Sequence, residues 1–331
     1  MSGSVSLSPR QVAFKYGLLV LLAAMLVLFS SLEPAFASMR NAFIILQSVA
    51  IVAILALGVT TTLAVDGFDL SIGATAATAM MTASYVLVVL DGGTAMAILA
   101  ALAVGVVVGM INGFLTVHMR IPDLLATLGM MFLLLGLQLI PTEGRSIATG
   151  MNLADGSVAT GRFTAAFLQL GREKVAGVVP VPVIIMAVLA LLSWLLLERS
   201  RFGRVFYAIG GNRTAAHLAG AAVARYRYLA YVMSGVYAAI GGILLAARVG
   251  RGDVSSGNSL LMDAVAAALV GFAVLGAARP NALGSVMGAL FVGVLLNGLT
   301  MLNAPYYAQD FIKGAVLVLA LMFTFGLAQR R

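Results

Sequence analysis

The chain contains no cysteine, and only 10% of its 331 residues are charged. The absence of cysteine excludes disulfides and thiolate metal sites. The only two histidines, His118 and His217, lie far apart with no carboxylate cluster near either, so no metal centre and no cofactor is expected. No Gly-Lys dipeptide occurs, which rules out a G-x-x-x-x-G-K-[ST] phosphate loop. No Ser/His/Asp arrangement sits on suitable elements either. The chain is therefore expected neither to hydrolyse ATP through such a loop nor to act as an enzyme.

The shortage of charge has its own consequence. An ordinary soluble domain carries about 25% charged residues, whereas this chain is 62% hydrophobic. The apolar residues come in continuous runs of about 20, long enough to cross roughly 30 Å of hydrocarbon as a helix. Lipid offers the backbone no hydrogen-bond partners, so a spanning segment is a helix or part of a closed barrel. Continuous rather than alternating runs select helices. The expected fold is an all-α polytopic membrane protein whose partner is the lipid bilayer. The net charge of +8 would suggest nucleic acid in a soluble protein. Here Arg and Lys serve to hold topology, and no nucleic-acid partner is expected.

Ten spans are expected: Phe14–Leu32, Ala42–Val65, Leu70–Leu90, Thr94–Val117, Ile121–Pro141, Val178–Leu197, Arg227–Ala247, Leu260–Ala278, Leu283–Leu302 and Ala308–Leu327. With the N-terminus inside, the inner segments hold twelve basic residues and the outer ones seven. Six of the inner twelve fall in the stretch from Glu198 to Arg227. The start of the chain has two readings. Arg10, Lys15, an apolar stretch and Ala35-Phe36-Ala37 are similar to a cleavable secretory signal. The length of the stretch, with Glu33 and Pro34 at its end, equally suits a first span.

The chain repeats itself. Asp69-Leu70-Ser71-Ile72-Gly73 and Asp253-Val254-Ser255-Ser256-Gly257 both read D-x-S-x-G at an offset of 184. Gly109, Asn112, Gly113 and Thr116 match Gly293, Asn297, Gly298 and Thr300 at offsets of 184 or 185, and Gly129 matches Gly314 at 185. The offset equals five spans, an odd number, so the two copies cross in opposite directions. Inverted repeats over 42–141 and 227–327, within a single permease domain covering 1–331, point to transport. Gly109, Gly113, Gly293 and Gly298 read as packing positions. Asn112, Asn297, Ser71 and Asp69 are the candidates for the substrate pathway. Asp66 and Asp69 are expected at the membrane surface. Asp263 and Lys313 are the intramembrane charges, with Asp310 placed for a local pair with Lys313.

The segment 198–226 holds a helix signal. Asn212 is suited to cap a helix starting at Arg213, and Gly220 is suited to end it about two turns later. Arg201 and Arg204 flank it. Ala215 and Ala216 are small enough for a partner to approach closely, so bulk at 216 is expected to clash with that partner.

At these residues the chain resembles the permeases of ribose/xylose-type sugar ABC importers. Gly67 to Gly73 is similar to their G-[GI]-x-D-L-S-V-G signature. Asn112-Gly113 followed by Pro122-x-x-x-Ala126-Thr127-Leu128-Gly129 is similar to their N-G…P-x-x-I-A-T-L-G block. Arg201-Phe-Gly203-Arg204 through Tyr207-Ala-Ile-Gly210-Gly211-Asn212, Ala215 and Gly220 resembles their coupling loop. One stretch departs from the pattern: their Gly-rich G-G-x-S-x-x-G-G-x-G is here Gly271 to Pro280, with several glycines replaced. The resemblance implies a bacterial inner-membrane subunit that passes a monosaccharide. It further implies a separate cytoplasmic ABC ATPase touching Arg204, Asn212, Ala215, Ala216 and Gly220. A periplasmic sugar-binding protein and a second permease copy, identical or paralogous, complete the implied partners. An ion-coupled secondary transporter of a small polar solute is the alternative, and the shortage of intramembrane acids and histidines counts against it.

Overall fold

Apolar runs become helices because only intrasegment hydrogen bonds satisfy a backbone placed away from water. The computed structural model describes residues 9–153, 155–272 and 279–328, and shows helix in the body of every expected span. The first half comprises α1 (Pro9–Leu32), α2 (Met39–Leu63), α3 (Ile72–Val88), α4 (Thr94–Gly113) and α5 (Asp123–Leu137). A short α6 (Ala165–Arg172) and α7 (Val181–Trp194) lead to α8 (Arg201–Gly211) and α9 (Arg213–Leu218). The second half comprises α10 (Val223–Val249), α11 (Ser256–Gly271), α12 (Ala282–Met301) and α13 (Tyr306–Ala328). A small hairpin, β1 (Lys174–Val175) with β2 (Val179–Pro180), precedes α7.

Among the described residues six helical stretches are long and apolar enough to cross a membrane. These are Met39–Leu63, Thr94–His118, Asp123–Thr142, Val181–Arg199, Val223–Val249 and Ala282–Met301. Helices α3 and α11, with 17 and 16 residues, are shorter. Each begins where a D-x-S-x-G motif turns the chain. The Asp69 Oδ1 accepts from the Ser71 amide at 2.9 Å and the Ser71 hydroxyl at 2.6 Å. The Asp253 Oδ1 does the same for Ser255 at 3.0 and 2.8 Å. Such Asx turns divert backbone donors and set a helix start. The turn at Ser255 starts α11 four residues before the expected Leu260. The far end of that expected span, and most of the departing stretch Gly271 to Pro280, fall at 273–278, outside the described residues.

Helices α2 and α10 pack on each other at the centre. Helix α10 also lies along α3 and α4, while α2 lies along α11 and α12. Helix α5 rests on α3, and α13 on α11 and α12. Lipid supplies no hydrophobic drive between helices, so close backbone approach carries much of the stability, and small residues permit it. A Cβ on Gly235 would meet the Gly105 carbonyl, and one on Gly105 the Gly235 carbonyl. Gly109 faces the backbone of Tyr231 and Val232, Gly113 the Tyr228 ring, Gly293 Val49 and Gly298 Phe29. Gly109, Gly113, Gly293 and Gly298 are therefore packing positions. We expect Gly235→Val to cost about 3 kcal/mol, the upper range for overpacking, because the obstacle is rigid backbone. Gly129→Ala, with nothing within 4 Å of the added carbon, should be tolerated. Chemical unfolding in mixed micelles compares the two, and equal midpoints would refute the packing argument.

The connection from Thr142 to Gly177 is folded rather than a plain loop. Thr164 caps α6 by accepting from the Phe167 amide at 3.2 Å, and Phe167 is fully buried. Gly161 lies against the carbonyls of Leu87 and Val88, Gly171 against the backbone of Ala247 and Arg248, and Ile147 bridges Gly252. The segment thus closes over one end of α3 and α10. Elsewhere Lys313 Nζ meets Asp310 at 3.4 Å, the local pair, and also reaches Asp263 on α11 at 2.9 Å.

Candidate functional site

Two polar constellations stand out, and both hang on the connection between α2 and α3. In the first, Asp69 is buried within the protein, unlike the exposed Asp66. Its Oδ1 accepts from Ser71, and its Oδ2 accepts from the Ser234 hydroxyl of α10 at 2.7 Å. Asn112, on α4, donates its Nδ2 to the Ser71 Oγ at 2.8 Å, and its Oδ1 has no partner. The structure thus brings Asp69, Ser71 and Asn112 together. Asn297 is elsewhere: it accepts from the Asn41 Nδ2 of α2 at 3.0 Å. The second D-x-S-x-G turn also lies apart, with Asp253 paired to Arg251 at 2.9 Å.

Among the described residues no cation touches Asp69, so burial acts on its carboxyl without a compensating charge. Burial raises its pKa above the ordinary 3.8, and the bonds from Ser71 and Ser234 lower it only in part. A carboxyl whose folded value is raised favours the fold while protonated. That contribution is complete below the unfolded value and is lost as pH rises through the folded one. We expect the unfolding midpoint to fall over that upward interval. Asp69→Asn, which stays neutral while keeping an acceptor, should flatten the dependence. An unchanged slope in the variant would refute the assignment.

The second constellation centres on Asp123, the first residue of α5. Its Oδ1 accepts from the Arg227 Nη2 at 2.6 Å and from the Tyr231 hydroxyl at 2.7 Å, both on α10. Its Oδ2 lies 3.4 Å from the Arg213 Nη2 of α9. Arg213 also donates to the Asp66 carbonyl and pairs with the Asp66 carboxylate at 3.2 Å. One carboxylate thereby links α5, α10, the α2–α3 connection and the segment 198–226.

That segment is a rigid corner. Ser200 caps α8 by accepting from the Gly203 amide at 3.2 Å, and Phe206 and Ile209 bury its apolar face. Asn212 ends α8 and starts α9, accepting from the Ala215 amide at 2.9 Å. Gly220 has φ +85. Its amide donates to the His217 carbonyl and that of Ala221 to the Ala216 carbonyl, at 2.9 and 3.0 Å, a Schellman ending. Both cap signals in the sequence are thus realised. Arg204, Ala215 and Leu218 are exposed, Leu218 at 82%. Ala216 instead points inward, into a cluster with Ala64, Val65, Leu197 and Phe206. Bulk at 216 would collide with the chain's own core. The Tyr207 hydroxyl donates to Glu198 at 2.9 Å and reaches the Pro280 carbonyl at 2.8 Å, while Arg279 pairs with Glu198 at 2.7 Å. These bonds tie α8 to the start of α12.

Residues 41–321 match the family described as branched-chain amino acid transport system / permease component. The chain belongs to that family. Among curated relatives, the ribose import permease protein of Escherichia coli strain K12 is 33% identical over 278 residues, covering 84% of this chain and 83% of the relative. That of Bacillus subtilis strain 168 is 33% identical over 279 residues, covering 84% and 82%. The galactose/methyl galactoside import permease protein of Haemophilus influenzae is 30% identical over 287 residues, covering 83% of each. No solved structure matches. The chain is thus a permease component of a transport system. The residues that sequence reading missed in the permease are Asp123, Arg227, Tyr231 and Ser234. One signal for Asp123 was present, an acid directly after Pro122 at a helix start.

Proposed function

We propose that this permease is the membrane subunit of an ATP-driven importer for a monosaccharide, a ribose-like pentose or a related sugar. The observation that carries the reading is the continuous likeness, over more than four-fifths of the chain, to permeases named for ribose and galactose. ATP is hydrolysed by a separate ABC subunit, and α9 is the element on which it docks. A short helix capped at both ends and braced through Arg213 transmits motion that a flexible loop would dissipate. The docking face comprises Arg204 on α8 with Asn212, Ala215, Leu218 and Gly220 on and around α9, and Ala216 is the inward anchor of α9. A periplasmic sugar-binding protein delivers the sugar, and a second permease copy completes the membrane unit.

The ten-span topology, with both ends of the chain in the bacterial cytoplasm, is part of the same proposal. Two inverted halves, 42–141 and 227–327, are supported by reciprocal packing: α10 lies on α3 and α4 as α2 lies on α11 and α12. The matched Asx turns add to this, as does the contact of Gly73 with Gly257. Asp69, Ser71 and Asn112 belong to the inner end of the pathway. Asn297 is the counterpart of Asn112 in the other half.

Reconstitution with the cognate ATPase and binding protein tests the function. Uptake of radiolabelled ribose, xylose or galactose should require all three components and ATP on the ATPase side. Uptake by the permease alone, driven by an ion gradient, would overturn it.

A further inference from the structure

The Asp69 cluster is closely packed, with Asp69, Ser71, Asn112 and Ser234 no more than 2% exposed. A cavity of about 480 Å³ lies instead among α3, α4 and α5, reaching from Gln138 and Thr142 to Ile111, the neighbour of Asn112. Its walls are mostly apolar, with Val104, Met130 and Leu134 among them, and no Asp, Glu, Lys, Arg or His lines it. Two polar atoms at one end have no hydrogen-bond partner, the Gln138 Oε1 and the Thr142 Oγ1. Gln138 is 5% exposed and Thr142 4%. Leaving such groups unpaired is costly, and an unsatisfied buried group in a native protein calls for an explanation.

We propose that this cavity receives the sugar on the permease, with Gln138 and Thr142 bonding its hydroxyls. The inference rests on the monosaccharide reading above and locates where that substrate is held. A sugar matches the cavity on both counts: hydroxyls pair with the two orphaned atoms, and the C–H face lies on the apolar wall. An acyl chain would cover the wall and leave both atoms unpaired. A charged solute would lose its hydration with nothing to replace it. The place fits as well. Gln138 ends α5, so the polar end of the cavity faces the side from which a binding protein delivers. The other Gln138 amide atom, Nε2, donates to the Val254 carbonyl at 3.2 Å. The cavity mouth is thereby tied to the second D-x-S-x-G turn, where a movement of α11 would reach the bound sugar. The apolar wall holds the sugar weakly, as a passage must.

The test uses proteoliposomes containing the permease, ATPase and binding protein, with the uptake rate read at saturating ribose-, xylose- or galactose-loaded binding protein. Gln138→Leu and Thr142→Val should each slow uptake roughly five- to tenfold, the value of one hydrogen bond made during passage. The Thr142→Val midpoint should stay equal or rise, because that variant removes only an unpaired buried atom, whereas Gln138→Leu also gives up the bond to Val254 and should lose about 1 kcal/mol. A merely structural role for Thr142 would lower its variant's midpoint. Ala103→Phe, at an exposed position on the cavity wall, should block uptake while the ATPase still co-purifies. Normal uptake by all three variants, with an active unmodified complex, overturns this inference alone. The same holds if mass spectrometry finds a phospholipid that Ala103→Phe displaces without slowing uptake. An inactive unmodified complex overturns the sugar reading itself.

Discussion

Asp123→Ala is expected to destabilise the permease by about 3–5 kcal/mol, the usual cost of removing one partner from a buried ion pair. The pair qualifies as buried, since the Arg227 and Asp123 side chains are only 10% and 16% exposed. Without the carboxylate, Arg227 keeps its charge away from water, and the Tyr231 hydroxyl loses its acceptor. Arg213, at 38% exposure, is partly hydrated and should add little. The double variant Asp123→Ala/Arg227→Met should recover much of the loss, because it removes the stranded charge together with its partner. Unfolding in mixed micelles provides the measurement. A single variant as stable as the unmodified protein, or a double variant no better than the single, would show that the pair does not hold α5 to α10.

Leu218→Asp is expected to weaken ATPase association by about 2–4 kcal/mol, the range for an anchoring side chain, or roughly 30- to 1,000-fold in affinity. Leu218 is a large apolar side chain, 82% exposed, on a helix held rigid at both ends. Because it contacts little of the permease, the substitution should leave the unfolding midpoint unchanged. The competing view is that α9 rests in the membrane interface and Leu218 only dips into lipid. In that case the ATPase would co-elute with Leu218→Asp in the original proportion, and the docking assignment would fall. Ala216→Trp cannot make this distinction, since Ala216 is buried in the cluster that also holds Phe206 and Val65, and bulk there would disturb the fold itself.

Much of the architecture was legible because its causes are local or compositional. Runs of apolar residues choose helix within a single segment. Asn212 and Gly220 act on backbone groups three or four residues away, so the limits of α9 could be read without knowing its surroundings. The D-x-S-x-G turns are likewise short-range, although their effect on where α11 starts was not anticipated. A six-residue helix, by contrast, is too short to display a periodic stripe. The inward face of α9 at Ala216 therefore had no clear trace in the sequence.

What the sequence determined by itself was a helical membrane permease with two related halves' worth of motifs, since chain-wide hydrophobicity and short-range capping need no tertiary partner. Only the tertiary structure decided which polar residues share a site. Asp123 and Arg227 are 104 positions apart, and Asp69 and Ser234 165. Asn112 and Asn297 look equivalent in their motifs, yet one joins Ser71 and the other Asn41. The reason is physical. In a chain of nearly uniform apolar helices, the facing of each polar side chain is set by where glycines let helix backbones meet, and that choice is made between helices rather than within them.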